Sequence, residues 1–255
     1  MSAATMTTRH ALVTGGGSGV GRAIALALAG AGIDVTICGR REAALAEVAR
    51  EGDRIFGIAA DVTNEAAMAS LYSQAEARGP IDIVVANAGM SGSAPAQRTS
   101  LADWQRTLDV NLTGAFLTVK PALAGMVARK SGRIIFVAST AGLKGYPYVA
   151  AYVAAKHGVV GLMRALAVET VKSGVTVNAV CPGFVETEML EESIQRIVEK
   201  TGRTVEEART SLASTNPQGR FIQPEEIAAA VLWLCGDAAH SITGQTISIS
   251  GGETW

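Results

Sequence analysis

The chain has only three cysteines and three histidines in 255 residues, with no CxxC and no HExxH spacing. Cys38, Cys181 and Cys235 are odd in number, widely separated and set in apolar runs. That fits reduced core thiols and argues against a disulfide framework. So few potential ligands make a zinc site unexpected, and no metal is assigned. Charge is scarce too: 18% of residues are charged, and 22 basic against 23 acidic side chains leave a formal net charge of −1. No cluster of lysine and arginine is dense enough to form a nucleic-acid footprint. There is no run of about 18 uncharged apolar residues of the kind that spans a bilayer. Residues 1–9 lack an apolar h-region, so no secretory signal is expected. These absences together predict a cytoplasmic protein that binds neither nucleic acid nor membrane.

What is present is apolar content, 48% of the chain, enough for a large core and too much for a disordered segment. Short β-rich runs at 11–14, 34–38, 55–59, 81–86, 133–138, 176–181 and 246–250 alternate with helical patterns at 21–29, 42–50, 65–77, 101–128, 151–172 and 224–235. The runs are almost continuously apolar, as in strands covered on both faces. Strict alternation of this kind predicts an α/β fold: one doubly wound Rossmann domain over residues 1–255 with a seven-stranded parallel sheet. Ser100 with Asp103 and Thr204 with Glu207 read as capping boxes, and Pro224 suits a first helical position. The polar segment 188–218 breaks the rhythm. As a helical insertion after a strand's carboxyl end, where such sheets bind ligands, it is placed to serve as a lid; a plain surface hairpin is the alternative.

Three residues carry the strongest chemical signal. Tyr152 and Lys156 are four apart in a helical stretch, and Ser139 lies thirteen positions upstream at the end of an apolar run. Residues i and i+4 share a helix face, and a nearby ammonium favours ionisation of a phenol. A phenol tuned in this way can give a proton to a carbonyl oxygen or take one from an alcohol. Ser139 is placed to hydrogen-bond the same oxygen. A second signal is the run TGGGSGVG at 14–21, between the first strand and the first helix. Its spacing departs from G-x-G-x-x-G, but its physics is the same: glycines permit a tight turn and close backbone approach, and a helix N-terminus receives a pyrophosphate.

With these elements in place, the chain resembles the short-chain dehydrogenase/reductase family over nearly its whole length. TGGGSGVG, Asp61-Val62, the NAG at 87–89, Asn111 in VNLTG, Ser139, YVAAK and the PGFVET at 182–187 occur in family order. The resemblance implies Ser139, Tyr152 and Lys156 as a catalytic triad, with Asn111 completing a tetrad by holding a water that relays protons to Lys156. It also implies a cofactor cleft. Gly15, Ser18, Gly19, Val20 and Gly21 would hold the pyrophosphate, and Asp61 and Val62 would frame the adenine. Asn87 and Gly89 would line the cleft, and Pro182, Gly183, Val185 and Thr187 would reach the nicotinamide end, beside Tyr152 and Lys156. Asp61 as a helix cap, Asn111 as the filler of a kinked helix near Gly114 or Pro121, and His157 as a solvent or interface histidine are the plain structural alternatives.

The second strand ends VTICGRR. Gly39 stands where an NAD site keeps an acidic residue for the ribose 2′-hydroxyl, and the guanidinium of Arg40 suits a 2′-phosphate. NADP(H) is therefore the expected cofactor, with NAD(H) possible, because Ser18 occupies a loop position where many NADP enzymes of the family carry a second basic residue. The expected reaction is reversible hydride transfer between the nicotinamide and a ketone/secondary-alcohol pair, a small-molecule substrate. VNAVCPGFVETEM, AAKHGVVG and GRFIQPEEIAAAV look like segments of polyketide ketoreductases and 3-oxoacyl reductases, so a 3-oxoacyl thioester or related β-keto compound is the first expectation. An NAD-dependent secondary-alcohol or 3-hydroxyacid dehydrogenase is the alternative. Tyr146 and Tyr148, expected to face the substrate, would equally suit a small ketone or cyclic alcohol. A pantetheine-linked substrate would be matched by basic groups on the 188–218 segment, where only Arg196, Lys200, Arg203 and Arg209 offer them. From other classes, a non-catalytic dinucleotide-binding protein would not need both Tyr152 and Lys156. An extended-branch epimerase would add a C-terminal domain that 255 residues are not expected to supply. By the same resemblance, a homotetramer is expected, built through the long helices and the last strand.

Overall fold

The structure, a computed structural model, describes residues 9–254. Seven parallel strands form one sheet in the order β3-β2-β1-β4-β5-β6-β7. They are β1 (His10–Thr14), β2 (Asp34–Gly39), β3 (Ile55–Ala59), β4 (Ile83–Ala86), β5 (Gly132–Val137), β6 (Val175–Pro182) and β7 (Thr246–Ile249). The helices are α1 (Gly19–Gly30), α2 (Glu42–Arg50), α3 (Glu65–Glu76), α4 (Leu101–Leu108), α5 (Gly114–Arg129), α6 (Ala150–Thr170), α7 (Glu188–Thr201), α8 (Val205–Ala213) and α9 (Pro224–Cys235).

Both faces of the sheet are covered, because side chains along each strand alternate between two apolar layers. Leu12, Val84, Ile134, Phe136 and Val177 pack with Leu71 of α3, Leu117 of α5 and Met163 of α6. Val13, Ile37, Val85, Ile135 and Val180 pack with Leu28 of α1, Val48 of α2 and Val231 of α9. This double burial is why the central strands read as unbroken apolar runs; only β3 and β7, at the two edges, are partly exposed. From β1 the sheet grows in both directions, to β2 on one side and β4 on the other. A crevice therefore opens at the carboxyl ends of β1 and β4, where a parallel sheet of this order binds ligands.

Two local expectations need correction. The helix expected over 101–128 is two helices joined by a π-helical turn at Asp109–Thr113. Hydrophobic periodicity does not report such a one-residue widening, which is typical of functional positions. Of the two capping boxes, Thr204 and Glu207 form the full reciprocal pair. The Ser100 hydroxyl accepts from the Asp103 amide, but the Asp103 carboxylate takes the Ser100 hydroxyl in place of its backbone N–H.

The 188–218 segment is a helical hairpin, α7 and α8, reversing through Gly202 at φ 70°. It has its own small core of Leu190, Ile194, Ala208 and Phe221. Arg209 ties it to the sheet side through Glu186 while also pairing with Glu191. Two helical stretches, Leu101–Arg129 and Ala150–Thr170, are long and apolar enough by length and composition to cross a membrane. Here they cover the sheet, and 39% and 44% of their apolar windows are buried.

Candidate active site

The glycine loop leaves β1 and turns back onto the strand beside it. Gly15 has φ 67° and Gly19 φ 51°, the left-handed region that a Cβ disfavours. A Cβ on Gly21 would lie 2.2 Å from the Gly15 carbonyl oxygen, so only glycine permits a turn this tight. Helix α1 then begins with no side-chain cap on its first amides and no acidic residue in its first turn. Unpartnered amides at a positive dipole end are an anion seat, so these residues fit a dinucleotide's pyrophosphate. Val20 packs partly buried against the adjoining core layer.

The NAG segment holds this loop from the end of β4. The Asn87 side chain donates to the Thr14 carbonyl at 2.9 Å, and the Thr14 hydroxyl accepts from the Asn87 and Ala88 amides, both at 3.1 Å. Asn87 is thereby committed to shaping the loop. Thr187 closes over the same loop: a Cβ on Gly19 would meet its Cγ2 at 3.2 Å. The 182–187 run is fixed by Gly183 N donating to Ile249 O, by the bridge between Val185 and Ile222, and by the Thr187 hydroxyl donating to Val185 O at 3.2 Å.

Two further residues, Asp61 and Val62, follow the carboxyl end of β3. Hydrogen bonds from the Thr63 amide and hydroxyl hold the Asp61 carboxyl below its usual range, and the charge of Arg40 adds to this. The cap of α3 is Asn64, whose side chain accepts from Ala67 N, so Asp61 is not that cap. Val62 is 7% exposed and packs against Gly114, where a Cβ would come within 2.7 Å of it.

Ser139 follows β5 and opens a 3₁₀ turn. Its Oγ accepts from Ala141 N at 3.1 Å, which leaves the hydroxyl hydrogen free to be donated elsewhere. Tyr152 and Lys156 are stacked one helical turn apart on α6, with Lys156 Nζ 5.5 Å from the centre of the Tyr152 ring. Lys156 is 4% exposed and donates to Val137 O at 2.9 Å. Burial pushes its ammonium down to about 8. Burial also pushes the Tyr152 phenol up from its ordinary value; the neighbouring Ser139 hydroxyl pulls it back, and Cys181 adds to the rise. The net displacement of Tyr152 is thus opposite to the expected one, because desolvation of the phenol outweighs its neighbours.

Asn111 lies in the π turn, 1% exposed. Its Nδ2 donates to Met90 O and to Thr107 O, both at 2.9 Å. A Cβ on Gly89 would fall 2.9 Å from Asn111 Oδ1 and 3.7 Å from Lys156 Nζ. Gly89 therefore brings the NAG segment between these two side chains, which the structure gathers with Ser139 and Tyr152 into one cluster. His157 is exposed and bonds Val153 O on its own helix. Tyr148 is 65% exposed with φ 67°. Among the described residues no group of His, Cys, Asp and Glu could hold a metal ion, and all three cysteines are free and buried.

Two residues join the site without any motif to announce them. Arg41 donates from Nη2 to Ser18 Oγ at 3.2 Å and pairs with Glu188 at 3.5 Å, so it spans from the glycine loop to the start of α7. Glu253, in the turn after β7, accepts from the Tyr146 hydroxyl and pairs with Lys144. The doubled arginine in VTICGRR was the available signal for the first; nothing in the sequence marks the second.

Residues 9–197 match the family described as short chain dehydrogenase. The D-beta-hydroxybutyrate dehydrogenase of Cupriavidus necator is 40% identical over 248 residues, covering 95% of this chain and 96% of that protein. The 3-oxoacyl-acyl-carrier-protein reductase of Synechocystis is 38% identical over 258 residues, covering 97% of each. Among solved structures, an actinorhodin polyketide ketoreductase variant with NADPH superposes with a TM-score of 0.93 at 37% identity, covering 96% of this chain and 97% of that one. The glycine turn, the crevice and these relatives lead to one identification: the chain belongs to the short-chain dehydrogenase family, a nicotinamide-dinucleotide oxidoreductase that acts on small carbonyl and alcohol substrates.

Proposed function

We propose that the protein is an NADP(H)-dependent ketoreductase that interconverts a β-keto compound, first of all a 3-oxoacyl thioester, with its secondary alcohol. Its catalytic residues are Asn111, Ser139, Tyr152 and Lys156. The observation that carries this is Lys156, a cation 4% exposed and without a carboxylate partner among the described residues, set beside a phenol. A buried charge without an ionic partner is costly, and perturbed titratable groups in a crevice mark function.

When bound, the cofactor supplies the hydride that the substrate's carbonyl carbon receives. The chain's residues handle the proton. Tyr152, kept protonated by its burial, gives its hydrogen to the carbonyl oxygen. Lys156 stabilises the phenolate that remains, since a cation at this range favours the charged form. Ser139 has its Oγ lone pair taken by Ala141 N–H and turns its own hydrogen toward the same oxygen. Asn111, fixed by Met90 and Thr107, holds the water through which Lys156 is resupplied with protons.

The pyrophosphate is held by Gly15, Ser18, Gly19, Val20 and Gly21 at the head of α1. Asp61 and Val62 flank the adenine, and Asn87, Gly89, Pro182, Gly183, Val185 and Thr187 line the remaining cleft. Preference for NADP(H) is supported by Arg40, and by Arg41, which puts a guanidinium against Ser18 and so makes up for the basic residue that the loop lacks. The β-keto class is supported by two of the relatives, a D-beta-hydroxybutyrate dehydrogenase and a 3-oxoacyl-acyl-carrier-protein reductase, whose names specify a β-hydroxy and a β-keto substrate. The outer face of α7 carries Glu188, Glu191, Glu192 and Glu199 against Arg196. That face favours a free thioester or β-keto compound over one carried by an acidic protein. We place the 188–218 hairpin as the lid of one catalytic domain and the active form as a cytoplasmic homotetramer.

A screen of β-keto thioesters, diketones and simple ketones, followed by loss of NADPH absorbance, tests the assignment. Turnover with NADPH should exceed that with NADH, and Tyr152→Phe should abolish it while leaving cofactor binding intact. Equal or better use of NADH rejects the cofactor preference. Oxidation of 3-hydroxyacids with NAD, with no reduction of β-keto compounds, would establish the dehydrogenase alternative.

A further inference from the structure

Three stretches far apart in the chain converge on one buried carboxylate next to the cluster just described. Glu253 has a side chain 2% exposed, and its Oε1 pairs with Lys144 Nζ at 3.1 Å. The same oxygen accepts from the Tyr146 hydroxyl. Oε2 is buried without any partner, and a Cβ on Gly183, just past β6, would lie 3.1 Å from it. The turn carrying Glu253 is pinned from the other side: a Cβ on Gly251 would fall 1.9 Å from Asn216 Oδ1, at the base of the α7–α8 hairpin.

A carboxylate in this setting is expensive. One half-exposed lysine is its only cation among the described residues, and its second oxygen is buried without a partner to replace the water it lost. Packing alone would be served better by an apolar side chain, so the charge is kept for what it holds. The Tyr146 hydroxyl lies between two groups: it donates its one hydrogen to Glu253 and sits 2.7 Å from Thr140 Oγ1, from which it accepts. Thr140 directly follows Ser139 and opens the 3₁₀ turn in which Ala141 N–H bonds Ser139 Oγ. Two hydrogen bonds and one peptide link therefore lead from the carboxylate to the serine. Tyr146 is also near enough to Tyr152 to feel its charge.

We propose that Glu253 is a positioning residue for Ser139: acting through Tyr146 and Thr140, it fixes the turn that aims the serine hydroxyl at the reacting oxygen. This rests on the role given to Ser139 in the proposed function. Glu253→Gln keeps the shape and removes the charge, and Tyr146→Phe breaks the link one step on. Each should lower kcat about tenfold, the worth of one charge-assisted hydrogen bond. KM and the NADPH dissociation constant from fluorescence titration should stay near wild type, and the melting midpoint should not fall. The double variant should be no worse than the poorer single one, and neither substitution should cost anything further in a Ser139→Ala background.

Wild-type kcat in Glu253→Gln overturns the proposal. So do losses that multiply in the double variant, or a loss that tracks melting. If Glu253→Gln does not fold, Tyr146→Phe and Thr140→Val carry the same test. Full activity in Ser139→Ala would sink the assigned role of the serine. Loss of activity in that variant, together with an unaffected Glu253→Gln, would sink only the link.

Discussion

Replacing Lys156 with methionine should destroy turnover and make the protein more stable at neutral pH. In the fold the ammonium is held at about 8 against an ordinary value of 10.5. At about 1.4 kcal/mol for each tenfold, that amounts to about 3 kcal/mol opposing folding wherever the unfolded chain keeps the proton. The methionine forfeits the bond to Val137 O and leaves that carbonyl short of a donor, a cost of about 1 kcal/mol. The net gain is about 2 kcal/mol, or about 4–8 °C in melting midpoint for a chain of this size. The sign depends on pH. Because the folded value lies below the unfolded one, the unfolded state binds more protons between about 8 and 10.5, so the lysine's contribution to stability rises across that window. The advantage of the methionine variant should therefore shrink as pH climbs through it. Wild-type melting alone would not show this. Cys38, Cys181 and Cys235, raised by burial to about 12, 11 and 12, lose stability in the opposite direction as pH passes the ordinary thiol value. The difference between variant and wild type, measured by calorimetry at pH 7 and at pH 9.5 and equal protein concentration, cancels that trend. A variant less stable at pH 7, or an advantage that does not decline with pH, would refute the reasoning.

Three further outcomes are expected. Gly21→Ala puts a methyl 2.2 Å from the Gly15 carbonyl oxygen; it should weaken NADPH binding in a fluorescence titration by about 5- to 150-fold, since a clash of about 1–3 kcal/mol falls on the loop itself. Arg41→Ala should raise the NADPH dissociation constant several-fold and leave that of NADH unchanged; an equal effect on both cofactors would deny the guanidinium a 2′-phosphate role. Ketone reduction, read as kcat/KM, should fall as pH rises through about 8, where Lys156 of the free enzyme loses its proton; a flat profile to pH 10 would contradict it.

Much of the architecture was legible because each strand carries its apolar run on both faces and each helix begins where such a run stops. The seven strands and five of the six expected helices emerged with small shifts at their ends or none, α2 and α9 at their expected bounds. The break between α4 and α5 was not legible, because a π turn preserves composition and only changes phase. Tyr152 and Lys156 were legible from spacing alone, since four residues make one helical turn. The direction in which Tyr152 is displaced was not, because it depends on how much water the fold removes from the phenol. Tyr148 is 65% exposed, on a left-handed backbone position that periodicity does not foresee. Arg41 and Glu253 act across 23 and 107 residues of chain, on Ser18 and Tyr146 respectively. Contacts of that length arise only once the sheet has brought its carboxyl edge together.

The widened turn at Asp109–Thr113 constrains how this helical layer can change. Each residue of a helix advances the winding by about 100°, and the widened turn takes up one residue more than a regular turn, so deleting one residue there would restore regular winding while α5 kept its apolar stripe toward the sheet. Asn111 would leave the space beside Gly89, and its bonds to Met90 O and Thr107 O would go with it. A deletion at that point would therefore cost the chemistry and spare the core, whereas one inside the regular winding of α5 would turn the stripe away from the sheet.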